Sequence, residues 1–134
     1  MDEGRGRQTT INSYRDLKVW QRAMDLAVET YELTKAFPRD EVYGLVSQIR
    51  RSATSVPANV AEGYGRQMTG AYVHHLKIAQ GSLKELETHL ILSSRLNLIS
   101  ADRVEKVITL SEEIGKMLRS LIRSLQDERN DRTS

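Results

Sequence analysis

From Tyr72 to Leu90 the apolar residues recur without a break at spacings of four and three: Tyr72, Leu76, Ala79, Leu83, Leu86 and Leu90. That spacing brings all six onto one stripe of an α-helix. A second stripe follows the same rule through Val104, Val107, Ser111, Ile114, Leu118, Leu121 and Leu125. Stripes of this kind are hidden most readily against other helices, so the fold class is all-α. Ile78 and Ile91 flank the first stripe, and Ile108, Leu110 and Ile122 the second. Both stripes are therefore wider than a single facing helix covers, and some apolar surface must meet further helices or other subunits.

Two earlier segments complete the set. The spacing predicts a helix over about residues 16–35, with Leu17, Trp20, Met24, Ala27 and Tyr31 in line and Ser13 and Asp16 capping its start. Pro38 ends it. A second helix runs from about 40 to 64, where Gly63 and Gly65 loosen its end. Pro57 lies inside it and predicts a kink that frees the carbonyl of Ala53, or a break into two helices. The third helix follows a Thr69 cap, and the fourth follows a turn at Asn97 and a Ser100 cap. Short connections near Pro38, Met68 and Asn97 make successive helices antiparallel neighbours. The expected architecture is an up-down-up-down four-helix bundle over residues 13–126, with disordered tails over 1–12 and 127–134.

The second helix is unusual in its polar residues. Gln48, Ser52, Ser55, Asn59, Glu62 and Arg66 share one line, about 100° from an apolar line through Val42, Leu45, Ile49, Ala53, Val56 and Val60. A file of amides, hydroxyls, a carboxylate and a guanidinium beside the apolar face points either to partnered groups in a groove or subunit contact, or to a solvated flank. Gly81, inside the third helix, costs about 1 kcal/mol relative to alanine, and close helix approach is the simplest reason for it.

Composition removes whole classes of chemistry. There are no cysteines, so disulfides, thiolate metal sites and cysteine nucleophiles are excluded, and a reducing compartment, the cytoplasm, is expected. No stretch approaches the roughly 18 apolar residues of a membrane span, so no membrane role is expected. His74, His75 and His89 do not share a helix face with ligand spacing, and Glu85 and Glu87 do not form an acid–base pair. Neither metal, cofactor nor catalysis is expected. The net charge is small, +2 from 20 basic and 18 acidic residues, but Lys116, Arg119 and Arg123 recur on one face of the last helix.

The segment YRDLKVWQRAMDLAVETYELTKAFPRDEVYGLVSQIRRSATSVPANVAEGYGR, followed by HHLKIAQGSLKELETHLILSSRL, resembles the bacterial four-helix bundle proteins encoded in intervening sequences of 23S ribosomal RNA genes. The likeness spans about residues 14–98, and the fourth helix is similar in pattern only. The same fold is similar to the accessory variability determinant of diversity-generating retroelements, a pentameric barrel that binds nucleic acid and partners a reverse transcriptase. The resemblance implies a pentameric ring. It also marks Gln48, Arg50, Arg51, Ser55, Asn59, Glu62, Gly63, Gly81, Ser82, Glu85 and Glu87 as family positions. The chain departs in charge, being nearly neutral where a retroelement accessory protein would be markedly basic.

Two functions are open on these grounds. In the first, a non-enzymatic homo-oligomer binds RNA or DNA through Arg50, Arg51, Arg66, Lys116, Arg119 and Arg123, assisting a reverse transcriptase or RNA-processing partner. Gln48, Ser52, Ser55, Asn59, Glu62, Glu85 and Glu87 then form a structural polar network or interface, with Arg51 either paired to Glu85, Glu87 or a neighbour's acid, or turned to phosphate. In the second, the same bundle is a scaffold that binds only protein.

Overall fold

The structure, a computed structural model, describes residues 10–133. A 3-10 turn at Tyr14–Asp16 leads into α1 (Lys18–Thr34), followed by α2 (Ser47–Tyr64), α3 (Thr69–Arg95) and α4 (Ala101–Thr133), with no strand among the described residues. Helix α1 packs on α2, α2 on α3 and α3 on α4, and α4 closes the ring against α1. The chain is thus the all-α four-helix bundle expected from its stripes.

One continuous core fills the ring. Ile49, Ala53, Val56 and Val60 of α2, Leu76, Ala79, Leu86 and Leu90 of α3, and Ile114 and Leu118 of α4 are completely buried. The extra width of the two long stripes is resolved differently on each helix. On α4, Ile108, Leu110 and Ile122 turn inward and are buried, whereas on α3 Ile78 and Ile91 stand 39% and 46% exposed.

Helix α1 faces the core with part of the expected line, Ala27 being buried and Leu17 and Trp20 packed against the core, and with a neighbouring line beside it. Val19, Ala23, Leu26, Thr30 and Leu33 are buried, while Met24 and Tyr31 are each 40% exposed. The centre of the buried face moves toward the aliphatic Val19, Leu26 and Leu33, with Thr30 buried beside them. The larger amphipathic rings suit the rim, where Trp20 meets Tyr14 edge to face at 5.2 Å. Ser13 caps the 3-10 turn: its hydroxyl accepts from the Arg15 amide at 3.0 Å, and the Asp16 carboxylate accepts from the Ser13 amide at 3.1 Å.

Of the two expectations at Pro57, the break into two helices does not occur. Helix α2 runs through Pro57, which is buried, and burial of its ring offsets part of the cost of the missing hydrogen bond. The irregularity sits before the helix instead, in a wide π turn over Val42–Val46 with Gly44 at φ −107° and ψ −109°. Asn97 forms the α3–α4 turn in the left-handed region at φ 62°. There the Leu98 amide donates to the Ser93 carbonyl and the Asn97 amide to the Ser94 carbonyl, each at 3.0 Å, closing a Schellman motif. Ser100 then caps α4 by accepting from the Arg103 amide at 3.3 Å. The N-cap of α3 is Met68, with no side-chain cap, and Thr69 is already helical.

The tail expected over 127–134 is corrected as far as Thr133, which ends α4. Once a helix is established, each added residue propagates it without a new nucleus, and the straight-chain Gln126, Glu128 and Arg129 are good helix formers. The N-terminal tail expected over 1–12 lies outside the described residues as far as residue 9. Residues 10–12 have no regular structure, and the Asn12 amide donates to Asp16.

Candidate nucleic-acid interface and polar seam

The polar file of α2 meets α3 along its middle. The Asn59 amide group donates to the Ser55 carbonyl at 2.9 Å and to Ser55 Oγ at 3.0 Å, while Asn59 Oδ1 lies 3.0 Å from His75 Nδ1. With that oxygen as acceptor, His75 carries its proton on Nδ1. Ser55 Oγ in turn shares a 2.8 Å hydrogen bond with Ser82 Oγ, so a four-membered chain of side chains joins the two helices. Ser52, buried, satisfies itself by donating to the carbonyls of Gln48 and Ile49. The ends of the file leave the seam: Gln48 is exposed, and Glu62 pairs with Arg66 on the surface at 2.9 Å.

Just beyond this chain the two helices lie close together at Gly63. A Cβ built on Gly63 would lie 2.8 Å from His75 Cβ, 3.0 Å from Tyr72 Cδ1 and 3.2 Å from the Tyr72 carbonyl oxygen. The close approach expected at Gly81 is therefore at Gly63, while a Cβ at Gly81 would meet nothing within 4 Å.

Tyr72 also carries the largest perturbation of acidity. Burial, followed by repulsion from Tyr64, pushes its phenol up to about 12. A group whose folded value is raised contributes stability that is complete below its unfolded value, near 10, and lost as pH rises through the folded one. The wild-type protein should therefore lose stability between about pH 10 and 12 relative to a Tyr72→Phe variant. For a half-buried phenol the differential is about 1–2 kcal/mol after discounting for solvent. Melting temperatures of the two proteins across that range check it, and parallel curves would refute it.

The acids of α3 have roles other than pairing Arg51. Glu87 accepts from the buried Ser111 hydroxyl at 2.6 Å and pairs with Lys84 at 3.2 Å, tying α3 to α4, and Glu85 is exposed. Arg50 finds no acid either: its Nε donates to the Thr34 hydroxyl at 2.9 Å, and its guanidinium lies 4.4 Å over the Tyr31 ring, joining α2 to α1. Arg51 is exposed and makes no ion pair among the described residues.

The six candidate cations thus do not form one patch. Arg50 is committed to the α1–α2 seam and Arg66 to Glu62, whereas Lys116, Arg119 and Arg123 are exposed along one face of α4 with no ion pair among the described residues. Across from that face the fold adds residues that spacing alone did not single out. Lys77, Gln80, Gly81 and Lys84 of α3 line a groove of about 370 Å³ with Gly115 and Arg119 of α4. Lys77 and Lys84 are one heptad apart on α3, a signal visible in the sequence but without meaning until α4 supplies the other wall. On the α1 side of α4, Arg22 holds Glu113 with two hydrogen bonds of 3.1 and 3.2 Å, which depresses the Glu113 carboxyl and raises the Arg22 guanidinium.

No group of three or more possible metal ligands gathers among the described residues, and none of their helices is long and apolar enough to cross a membrane.

The chain is similar to known proteins both in sequence and in structure. A sequence model of the 23S rRNA-intervening sequence protein family matches residues 15–120. The chain is also similar to a crystal structure from Bacteroides thetaiotaomicron, described as a protein with unknown function from the S23 ribosomal protein family. The identity is 30% and the TM-score 0.70, with 78% of this chain and 97% of that one covered. No protein of curated function matches the chain.

Proposed function

Because the chain belongs to the 23S rRNA-intervening sequence protein family, we propose that it is a non-enzymatic homo-oligomer, a ring of five bundles, that binds nucleic acid and assists a nucleic-acid-processing partner such as a reverse transcriptase. The observation that carries the binding is the α4 face, where Lys116, Arg119 and Arg123 are exposed and unpaired among the described residues. Cations without an internal partner are free to displace the counterions of a phosphate backbone, and such contacts do not read sequence. A ring would repeat the face five times, so weak sites act together on one polymer. This offsets the small net charge. Assembly is supported by large apolar residues left exposed on two helices, Met24, Val28 and Tyr31 of α1 and Ile78, Ile91 and Leu92 of α3.

The same apolar residues favour the second reading, a scaffold that binds only protein. Fluorescence anisotropy with mixed-sequence RNA and duplex DNA, from about 50 to 200 mM salt, separates the two. Replacing Lys116, Arg119 and Arg123 together by Gln should weaken binding at least about tenfold and reduce the slope of log affinity against log salt by about 2–3, with the oligomer intact. Absence of binding by the unaltered protein at about 50 mM salt would leave the scaffold as the function.

A further inference from the structure

The groove between α3 and α4 has two properties that the packing of the bundle does not explain. Its floor carries a glycine from each helix, although glycine disfavours a helix relative to alanine. A Cβ at Gly81 would meet nothing within 4 Å, and one at Gly115 only Leu83 Cδ1 at 3.8 Å and Arg119 Nη1 at 3.9 Å. Neither glycine is required by a neighbouring side chain. The walls are cationic: Lys77 comes from α3 and Arg119 from α4, Lys116 stands at the end shared with Glu112, and Lys84 of α3 is paired with Glu87. Glu87 is already committed to Ser111 and Lys84, which leaves Glu112 as the acid at the rim.

Building on the nucleic-acid reading above, we propose that this groove seats the phosphodiester backbone of a single strand. Positive walls attract a polyanion, and the missing methyl groups let phosphate oxygens come close to the helix surface. With a volume of about 370 Å³, the groove has room for the backbone of one strand and not for a duplex. No aromatic residue lines it, so bases are not stacked and the strand is held by its phosphates without regard to sequence.

The test uses the full chain and a fluorescein-labelled 20-residue oligouridine, with a duplex of equal length for comparison. Gly81→Gln places a neutral side chain in the trough while removing a helix glycine. It should raise the melting temperature by about 2–5 °C and weaken oligouridine binding at least about fivefold. Lys77→Gln should also weaken binding and lower the salt slope by about 0.7. The groove falls, with nucleic-acid binding intact, if both variants bind as the unaltered protein does while Arg123→Gln binds less well, or if duplex is preferred over the single strand. A drop in oligomer mass on Gly81→Gln would instead put a second copy of the chain in the groove and overturn the proposal. If the unaltered protein does not bind oligouridine or duplex at all, both this inference and the reading beneath it fail.

Discussion

Replacing Gly63 by valine should destabilise the bundle by about 3 kcal/mol, a fall in melting temperature of roughly 10 °C. The first added carbon alone would stand 2.8 Å from His75 Cβ and 3.2 Å from the Tyr72 carbonyl oxygen. Neither atom is the free end of a flexible side chain, so relief requires α2 and α3 to move apart. Separation would also stretch the Asn59–His75 and Ser55–Ser82 hydrogen bonds, which lie on the same seam. Gly63→Ala tests the same point more gently, because better helix propensity returns about 1 kcal/mol of the strain. Thermal unfolding of both variants is the measurement. A melting temperature equal to or above that of the unaltered protein for Gly63→Val would show that the helices are not held at this distance.

The second large effect is expected at Asn59. Its side chain satisfies Ser55 and His75 together, so Asn59→Leu, which conserves approximate volume, strands His75 Nδ1 and removes a partner of Ser55 Oγ. Part-buried groups left without partners cost about 1–3 kcal/mol each, which puts the loss near 2–4 kcal/mol. A double-mutant cycle with His75→Leu separates this from packing: the two changes together should cost less than the sum of each alone. Unchanged melting temperature and unchanged oligomer mass for Asn59→Leu would mean the polar file is only a solvated flank.

How far the sequence could be read depended on what each residue had to meet. The stripes of α3 and α4 were legible because a residue such as Leu86 or Ile114 has one favourable place, the interior, whatever its neighbours. On α1 the sequence places Leu17, Trp20 and Ala27 correctly but not Met24 and Tyr31, which are at home on a rim as well as in a core, so only the packed neighbours decide. The polar file was visible as a line, and two of its members, Ser55 and Asn59, do enter the seam, while Ser52 is buried and bonded within its own helix. Its partners were not visible, since His75 and Ser82 become neighbours only after α3 folds back. Gly81 and Gly63 look equivalent in a linear chain, yet one faces open space and the other a neighbouring backbone. Arg50 and Arg51 show the same limit: spacing placed them on different faces but could not show that Thr34 and Tyr31 occupy one of them.

The ring order of the helices has a consequence for how the chain reaches its native state. Three of the four seams join helices consecutive in sequence, α2–α3 and α3–α4 through short turns and α1–α2 through the longer segment 35–46, so their contacts form at smaller loop-closure cost than the fourth. The α1–α4 seam alone among the four brings together the two ends of the bundle, as in the Arg22–Glu113 pair, 91 residues apart. Topologies dominated by local contacts fold in microseconds to milliseconds, and the entropy of closing the longest loop falls on this one seam. Substitutions there, at Arg22 or Glu113, should chiefly speed unfolding, whereas those between α2 and α3, such as Asn59→Leu, should also slow folding.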